Sequence, residues 1–345
     1  MARVSIAGAT GYTGIELLRL LVNHPEVEIG SLTADSHAGK NICEVAPSLK
    51  GWVDQTLVEL TPDAGKECDV LFLALPHTAS MKYVPELLQG GCKIVDLSVD
   101  YRLREAEDYR SWYQTPHLNP ELLDQAVYGL PEIHRKEIQT AQLVANPGCY
   151  PTGAILALAP IMSQAWADPA TIVIDSKSGV SGAGRKLSQG TQFCEANESV
   201  AAYGIGEHRH TPEIEQELGR LAQSEVRVTF SPHLMPMTRG LLTTAYIHST
   251  QAMARVTLHQ RFQNFYRREK FVRVLEPGGY ANTAHVAGSN FCDIGVQVDT
   301  RNQRVIVTSA IDNLMKGASS QAIQNMNLML GLDEAAGLQV PPLFP

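Results

Sequence analysis

Two kinds of apolar spacing organise the chain. Over the first hundred or so residues, short continuous apolar runs alternate with helical spacing. RVSIAG, VEIGSLTA, CDVLFLALP and CKIVDLS read as buried strands, because an unbroken apolar run suits a strand covered on both faces. After the first run, GIELLRLLVNH places Ile15, Leu18, Leu21 and Val22 on one helical face. Between the last two, SMKYVPELLQGG reads as a helix stopped by Gly90 and Gly91. Strands alternating with helices predict an α/β fold with a Rossmann-type parallel sheet.

Beyond Cys149 the pattern changes. ATIVIDSKSG, VRVTFSPHL, LLTTAYIHS, FCDIGVQVDT and RVIVTSAID are strand-like, separated by long loops and by a helical pattern over 253–268. GVQVDTRNQRVIVTS alternates on both arms of a polar turn at 300–303, the signature of a hairpin. These segments predict an α+β domain with a mainly antiparallel sheet. The last pattern, NLMKGASSQAIQNMNLML, sets Leu314, Ala318, Ala322, Met326 and Leu330 at helical spacing. Its methionines read as core packing, in a helix that returns to the first domain. The expected division is therefore 1–148 plus 314–345 for a dinucleotide-binding domain and 149–313 for a second, catalytic domain. There is no solenoid repeat and no low-complexity segment.

Composition narrows the function. In 345 residues, 44% are hydrophobic and 19% charged, with a net charge of −8, which is ordinary for a globular protein and argues against a nucleic-acid partner. The basic stretch YRREK contains an acid and reads as a solvated helix face. No apolar run approaches the ~18 residues that a membrane span needs, and the N-terminus enters a strand without a leader pattern. Six cysteines without a C-x-x-C pair suit free thiols in a reducing compartment. The expected location is the cytoplasm.

The first strand is followed by GATGYTG, spanning Gly8, Ala9, Thr10, Gly11, Tyr12, Thr13 and Gly14. Glycines at a strand-to-helix turn let the backbone approach a pyrophosphate and let the helix N-terminus face it. The spacing is G-x-x-G-x-x-G, so the signal rests on its place in a βαβ unit. At the end of the second strand, TADSHAGK offers Asp35, Ser36, His37 and Lys40 to an adenosine ribose. An acid there accepts from a 2′-hydroxyl and repels a 2′-phosphate, whereas Ser36 and Lys40 suit the phosphate. NAD and NADP both stay open on these residues, as does a plain turn-capping role for Asp35.

Among the cysteines, Cys149 stands apart. In NPGCYPTGAILALAP, Pro151 and Thr152 suit a helix start. Cys149 then lies at the positive end of that helix, which stabilises a thiolate and lowers the thiol pKa. Asn146 and nearby N–H groups can face an oxyanion. The other five read as inert packing. YGIGEHRHTPEI supplies His208 and His210 in a polar loop before a helix capped by Thr211. One of these histidines is the expected acid/base and the other its orienter or a substrate ligand. An H-x-H pair can hold a metal, but no third ligand stands at obvious spacing, so no metal is expected. SKSGVSGAGRK, with Lys177, Ser178, Gly179, Ser181, Gly182 and Arg185, suits a loop around an anion. Arg102, just past a strand end in DLSVDYR, suits a substrate phosphate. A dinucleotide fold, an activated cysteine and a histidine together define aldehyde and acyl-phosphate oxidoreduction.

Nearly end to end, the chain resembles the N-acetyl-gamma-glutamyl-phosphate reductases, within the wider aspartate-semialdehyde dehydrogenase group. The resemblance rests on GATGYTG, FLALPH, DLSVDYRL, YGLPE, ANPGCYPTGAILALAP, SKSGVSGAGR, HRHTPEI, PHLMPMTRGLLTT and DNLMKGASSQAIQNMNLMLGLDE. It implies that Cys149 is the nucleophile on the acyl phosphate of N-acetylglutamyl phosphate and His208 the acid/base. It implies that Arg102 and Asn146 hold the phosphate and that His210 and Glu213 orient substrate. Residues 8–14, Ser36, the loop 178–182 and Asn313 match positions around an NADP cofactor. Family members are homo-oligomers, which makes a homodimer or homotetramer the expectation. One departure stands out: Asp35 occupies a place where an arginine is expected beside Ser36, yet Ser36 and Lys40 still favour NADP over NAD. Two other readings remain open, a paralogue acting on aminoadipyl or aspartyl phosphate and a non-catalytic dinucleotide sensor.

Overall fold

A computed structural model describes residues 1–164, 166–251 and 253–343. The chain divides into two compact units, Met1–Pro147 with Ala318–Gln339, and Gly148–Gly317 with the segment from Val340.

The first unit is built on a parallel sheet of β1 (Ala2–Ala7), β2 (Val27–Thr33), β3 (Val70–Leu73), β4 (Lys93–Asp96), β5 (Ala126–Tyr128) and β6 (Leu143–Ala145). The order is β2-β1-β3-β4-β6-β5, and every neighbouring pair is parallel. Because the chain leaves β1 to one side for β2 and returns to the other for β3, the ends of β1 and β3 form a topological switch point, where such sheets bind ligands. The four apolar runs become β1 to β4; β5 and β6 are three residues each and too short for the hydrophobic pattern to show. The run predicted as one helix after β3 is a 3₁₀ turn, Ser80–Lys82, followed by helix Val84–Gln89.

The C-terminal segment departs from the expected amphipathic stripe. A π-helical turn, Met315–Ser319, precedes helix Ser320–Leu330. Gln321, Gln324, Asn325 and Asn327 are as buried as the methionines, because this helix is covered on all sides, in part by helices Tyr12–Leu21 and Pro131–Thr140. Its amides therefore find internal partners, as buried polar groups must. Asn325 Nδ2 donates to Gly129 O at 2.8 Å, and Asn327 Nδ2 donates to the carbonyls of Glu334 (3.2 Å) and Ala336 (3.0 Å).

The second unit carries a mixed sheet: β7 (Val173–Gly179), β8 (Ala201–Ala202), β9 (Thr229–Met235), β10 (Leu241–His248), β11 (Val272–Val274), β12 (Cys292–Asp299) and β13 (Arg304–Ile311). Its order is β11-β12-β13-β10-β7-β9-β8. The pairs β11–β12 and β7–β9 are parallel and the rest antiparallel. The predicted hairpin is β12–β13, closed where Asp299 faces Arg304. Helix Cys149–Met162 packs against β10, β13 and helix Thr211–Ala222, and every residue after Cys149 in it is buried. Pro160 interrupts its ladder. A proline lacks the N–H that would reach the carbonyl four residues back, and Tyr266, closing helix Arg255–Tyr266, donates its hydroxyl to that carbonyl, Leu156 O, at 2.5 Å.

The observed division differs by a few residues from the expected one. Residues 314–317 stay with the second unit, where the Asp312 carbonyl accepts the N–H groups of Met315 (3.2 Å) and Gly317 (3.0 Å). The chain from Val340 also belongs there, tied by Leu343 N–H to Ala287 O at 2.8 Å. Residues 344–345, part of the expected first domain, lie outside the described residues. No helix among the described residues is long and apolar enough to cross a membrane.

Candidate active site

In the first unit the glycine loop sits at the switch point. Gly8 has φ +81°, and a Cβ there would lie 2.3 Å from Ala74 O, at the end of β3; one on Gly14 would lie 2.4 Å from Gly8 O. Both positions exclude any side chain, which lets helix Tyr12–Leu21 start hard against the loop. Gly11 is different. Its nearest neighbour to an added Cβ is Gly8 O at 3.6 Å, so the chain itself does not require glycine there. The N–H groups of Gly8 and Ala9 both donate to Thr33 O at 3.0 Å and shape the loop. Gly11 caps the helix without a side-chain bond, and Tyr12 and Thr13 form its first turn. An uncapped helix start with an uncrowded glycine fits a dinucleotide pyrophosphate.

At the end of β2, Asp35, Ser36 and His37 form one 3₁₀ turn. Asp35, Ser36 and Lys40 are exposed, and Ser36 Oγ lies 2.9 Å from His37 Nδ1. Past β4, Arg102 is buried and folds back on its own loop, donating from Nη2 to Leu97 O at 2.8 Å. Two fully buried carboxylates support this loop. Asp96 accepts from Ser80 Oγ (2.8 Å) and from Ser98 Oγ and N–H (2.7 and 3.0 Å). Burial, and then the charge of Asp100, push its pKa up to about 6. Asp100 accepts from the N–H groups of Thr78 (2.8 Å) and Met81 (3.1 Å) and from Tyr109 OH (2.9 Å). Asn146, at the end of β6, donates to Ala318 O (3.1 Å) and accepts from Asn325 Nδ2 (3.0 Å), which binds the sheet to the C-terminal helix.

In the second unit, Cys149 is the first residue of its helix, with Gly148 as cap, and is partly exposed. The sulfur therefore starts at the positive helix end, as expected. The turn before it is held by Glu213, buried in helix Thr211–Ala222, whose Oε1 accepts Gly148 N–H at 2.8 Å. Thr152 Oγ1 closes the same turn on Gly148 O at 2.9 Å. Thr211 does not cap its helix: it is the first helical residue, behind His210.

His208 lies in a cage of rings. The centroids of Tyr150, Tyr203, Phe230 and His210 stand 5.5, 5.4, 5.3 and 4.9 Å from its own, all edge-to-face. Its Nδ1 accepts His210 N–H at 3.1 Å, which places the proton of the neutral ring on Nε2. Burial, then the neighbouring Arg209 charge, lower its pKa to about 4. The phenols form a directed chain: Tyr203 OH donates to Tyr150 OH at 3.0 Å, and Tyr150 OH donates to His233 O at 3.1 Å. Burial first, with a smaller contribution from a Cys149 thiolate, raises the pKa of both phenols, Tyr203 to about 12.

The loop after β7 is pinned at Asn313, which accepts Gly240 N–H (2.8 Å) on Oδ1 and donates from Nδ2 to Ser181 Oγ (2.9 Å). Ser178 Oγ donates to Gly179 O at 3.1 Å, and Gly182 lies against Ser178. Lys177 is engaged by Asp175 at 2.8 Å, a carboxylate shared with His233 Nδ1 at 3.2 Å. Thus the His208 and His210 rings meet that of Tyr150, with Cys149 and the Gly148 turn held by Glu213 just before it in the chain, whereas Lys177 pairs with Asp175. Sequence reasoning missed Tyr150, Tyr203, Phe230 and His233. Tyr150 and Tyr203 stand inside motifs already singled out, but nothing local marks Phe230. Among the described residues no group of three or more His, Cys, Asp or Glu side chains is placed to hold a metal ion.

Known proteins share this arrangement of domains. The family model described as semialdehyde dehydrogenase, NAD binding domain, matches residues 3–141, and that for the semialdehyde dehydrogenase dimerisation domain matches 149–313. The first unit is accordingly a nicotinamide-dinucleotide-binding domain. Proteins named N-acetyl-gamma-glutamyl-phosphate reductase are similar over their full length. That of Citrifermentans bemidjiense is 52% identical over 347 residues, with 100% of each chain covered. That of Desulforudis audaxviator is 54% identical over 346 residues, again covering 100% of each. Among solved structures, aspartate semialdehyde dehydrogenase II of Vibrio cholerae complexed with ASA has a TM-score of 0.73 at 15% identity, covering 96% of this chain and 98% of that one. The Candida albicans aspartate semialdehyde dehydrogenase with NADP has a TM-score of 0.70 at 16% identity, covering 96% and 98%. These two share the fold, and the full-length relatives decide the narrower kinship: the chain belongs to the N-acetyl-gamma-glutamyl-phosphate reductase family, built from a semialdehyde dehydrogenase NAD-binding domain and dimerisation domain.

Proposed function

We propose that this chain reduces N-acetyl-L-glutamyl 5-phosphate to N-acetyl-L-glutamate 5-semialdehyde in arginine biosynthesis. The observation that carries this reading is a partly exposed cysteine at the first position of a buried helix whose second residue, Tyr150, packs its ring against a caged histidine. Cys149 thiolate attacks the acyl carbon, the carbon–oxygen bond to phosphate breaks, and a thioester remains. When bound, NADPH supplies a hydride to that carbon. His208, with its proton on Nε2, donates to the oxygen as it gains charge and takes the proton back as the carbon–sulfur bond breaks, releasing aldehyde and thiolate.

Arg102 and Asn146 hold the departing phosphate in this reading, His210 orients substrate, and Glu213 acts through the turn before Cys149. Lys177, paired with Asp175, completes the substrate-binding set in this reading. Residues 8–14, Ser36, Lys40, Ser178, Gly179, Ser181, Gly182 and Asn313 surround the cofactor. NADP is preferred over NAD because Ser36 and Lys40, both exposed, follow Asp35 in the chain. The enzyme works as a homodimer or homotetramer in the cytoplasm, a setting that suits its six free thiols. The decisive test supplies semialdehyde, phosphate and NADP and follows absorbance of the reduced nicotinamide. No signal from folded wild-type protein would favour a dinucleotide sensor. A higher kcat/KM with aspartyl phosphate than with N-acetylglutamyl phosphate would move the assignment to a paralogue.

A further inference from the structure

We propose that Tyr203 is a positioning residue for His208: its ring covers the imidazole, and its hydroxyl, passed through Tyr150 to the His233 carbonyl, pins that cover in place. The proposal rests on the reading of His208 as the acid/base. The two tyrosines reach the histidine from different elements. Tyr150 is the second residue of the Cys149 helix and is buried, while Tyr203 follows β8 directly and remains partly exposed on its other side. Their hydrogen bonds have only one direction. A backbone carbonyl can only accept, so Tyr150 must donate to His233 O and must then accept from Tyr203. Tyr203 is also anchored by its backbone, whose N–H donates to Pro232 O at 3.1 Å, one residue before His233.

The ring that these bonds hold closes one side of the His208 cage, 5.4 Å away and edge-on at 68°. The other sides belong to Tyr150, Phe230 and His210. The titratable and charged groups around the site are Glu207, Arg209 and His210 on the histidine's own loop, Glu213 on the helix that follows, Cys149 and Tyr150 on their helix, Tyr203, and His233 of β9. The Glu213 carboxylate is engaged by Gly148 N–H, and the Arg209 charge opposes an imidazolium. With the His210 N–H on Nδ1, a proton added to that nitrogen would meet another donor. Tyr203 therefore helps keep the ring neutral, oriented and shielded from water, with Nε2–H as its working end.

The test reads His208 directly, without turnover. In protein labelled with 15N-histidine, the wild-type His208 ring nitrogens are expected to titrate near 4, against 6.5 for an unperturbed histidine. Tyr203→Ala should move that titration upward toward the unperturbed value, and Tyr203→Phe, which keeps the ring, should move it less. In steady state, Tyr203→Ala should lower kcat by about tenfold or more, since a misplacement of about 1 Å can cost a hundredfold, with a smaller change in KM. An unmoved His208 titration in Tyr203→Ala overturns the proposal, as does an equal shift in Tyr203→Phe. A wild-type protein with the predicted titration but no turnover of the acyl phosphate would instead overturn the reaction assignment and leave the positioning role standing.

Discussion

Glu213 Oε1 accepts the N–H of Gly148 at 2.8 Å, and both groups are buried. The resemblance alone makes Glu213 a substrate-orienting residue. The geometry makes it, in addition, the support of the turn that aims Cys149. Removing the acceptor strands a buried donor, which costs about 1–3 kcal/mol. Glu213→Ala should therefore lower the unfolding free energy by about that amount and slow turnover as well. Glu213→Gln, which retains an oxygen at this place, should keep most of the stability. Urea denaturation of the three proteins decides it, and equal losses in both variants would mean that the charge matters rather than the bond.

The histidine predicts a pH dependence of stability with a definite sign. His208 titrates at about 4 in the folded chain and at 6.5 when unperturbed. The unfolded chain thus binds more protons between these values, and stability falls as pH drops from 6.5 through 4. The loss is on the order of 3 kcal/mol. His208→Gln should flatten this part of the curve in denaturant titrations between pH 4 and 7.5. The same variant should lower kcat by roughly 10²–10⁴-fold, the span usual for a lost acid/base.

Asp96 has the opposite sign, which separates it from His208. Its pKa is raised from 3.8 to about 6, first by burial and then by Asp100. Its contribution to stability is complete below the unperturbed value and is lost as pH rises through 6. Asp96→Asn should therefore gain on wild type by on the order of 3 kcal/mol between pH 4 and pH 8. The check is the difference in urea midpoint at the two pH values. A constant difference would show that the buried carboxylate titrates as it does in water.

These contrasts show what the chain reveals before folding. β1 to β4 were legible because both faces are covered and their apolar runs are continuous, and the β12–β13 hairpin because its alternation is broken only by a polar turn. The place of Cys149 at a helix start was legible from residue type, as was the His208–His210 pair before another helix, and only the resemblance singled out His208. The cage was not: Phe230 sits in a strand and reaches His208 only through the pairing of β7 with β9 and β9 with β8. The C-terminal helix misled for a related reason. Its asparagines look like a solvent face, but their partners, Gly129, Asn146 and Glu334, are set by tertiary packing. Asp96, closing β4, and Asp100, in the turn beyond it, are likewise acceptors whose donors are set by tertiary packing.

The nucleophile helix offers a stability test that is independent of chemistry. Tyr266 OH serves the Leu156 carbonyl that Pro160 leaves without an intrahelical donor. Tyr266→Phe should cost about 1–3 kcal/mol, the penalty of an orphaned buried group. Pro160→Ala restores an N–H four residues along, so the double variant should recover part of that loss. A double-mutant cycle by denaturation measures the coupling. Additive effects would show that the hydroxyl contributes packing alone.

Close packing around the sulfur yields the last prediction. A Cβ on Gly317 would lie 2.8 Å from Cys149 Cβ and 3.3 Å from its Cα. Contacts that short force a shift, and the atoms involved belong to a helix start held by Glu213 and Thr152. A shift of the cysteine's Cα and Cβ carries the sulfur with it. Gly317→Ala should therefore lower kcat by about tenfold or more, since displacements of about 1 Å carry such costs. Cofactor binding, measured by titration of the protein's fluorescence, should stay near wild type, because the glycine loop belongs to the other unit. Cys149→Ala provides the reference, with turnover abolished and cofactor binding retained. If Gly317→Ala turns over normally and alkylates at Cys149 at the wild-type rate, the helix start is looser than its hydrogen bonds imply, and the thiolate does not depend on this packing for its position.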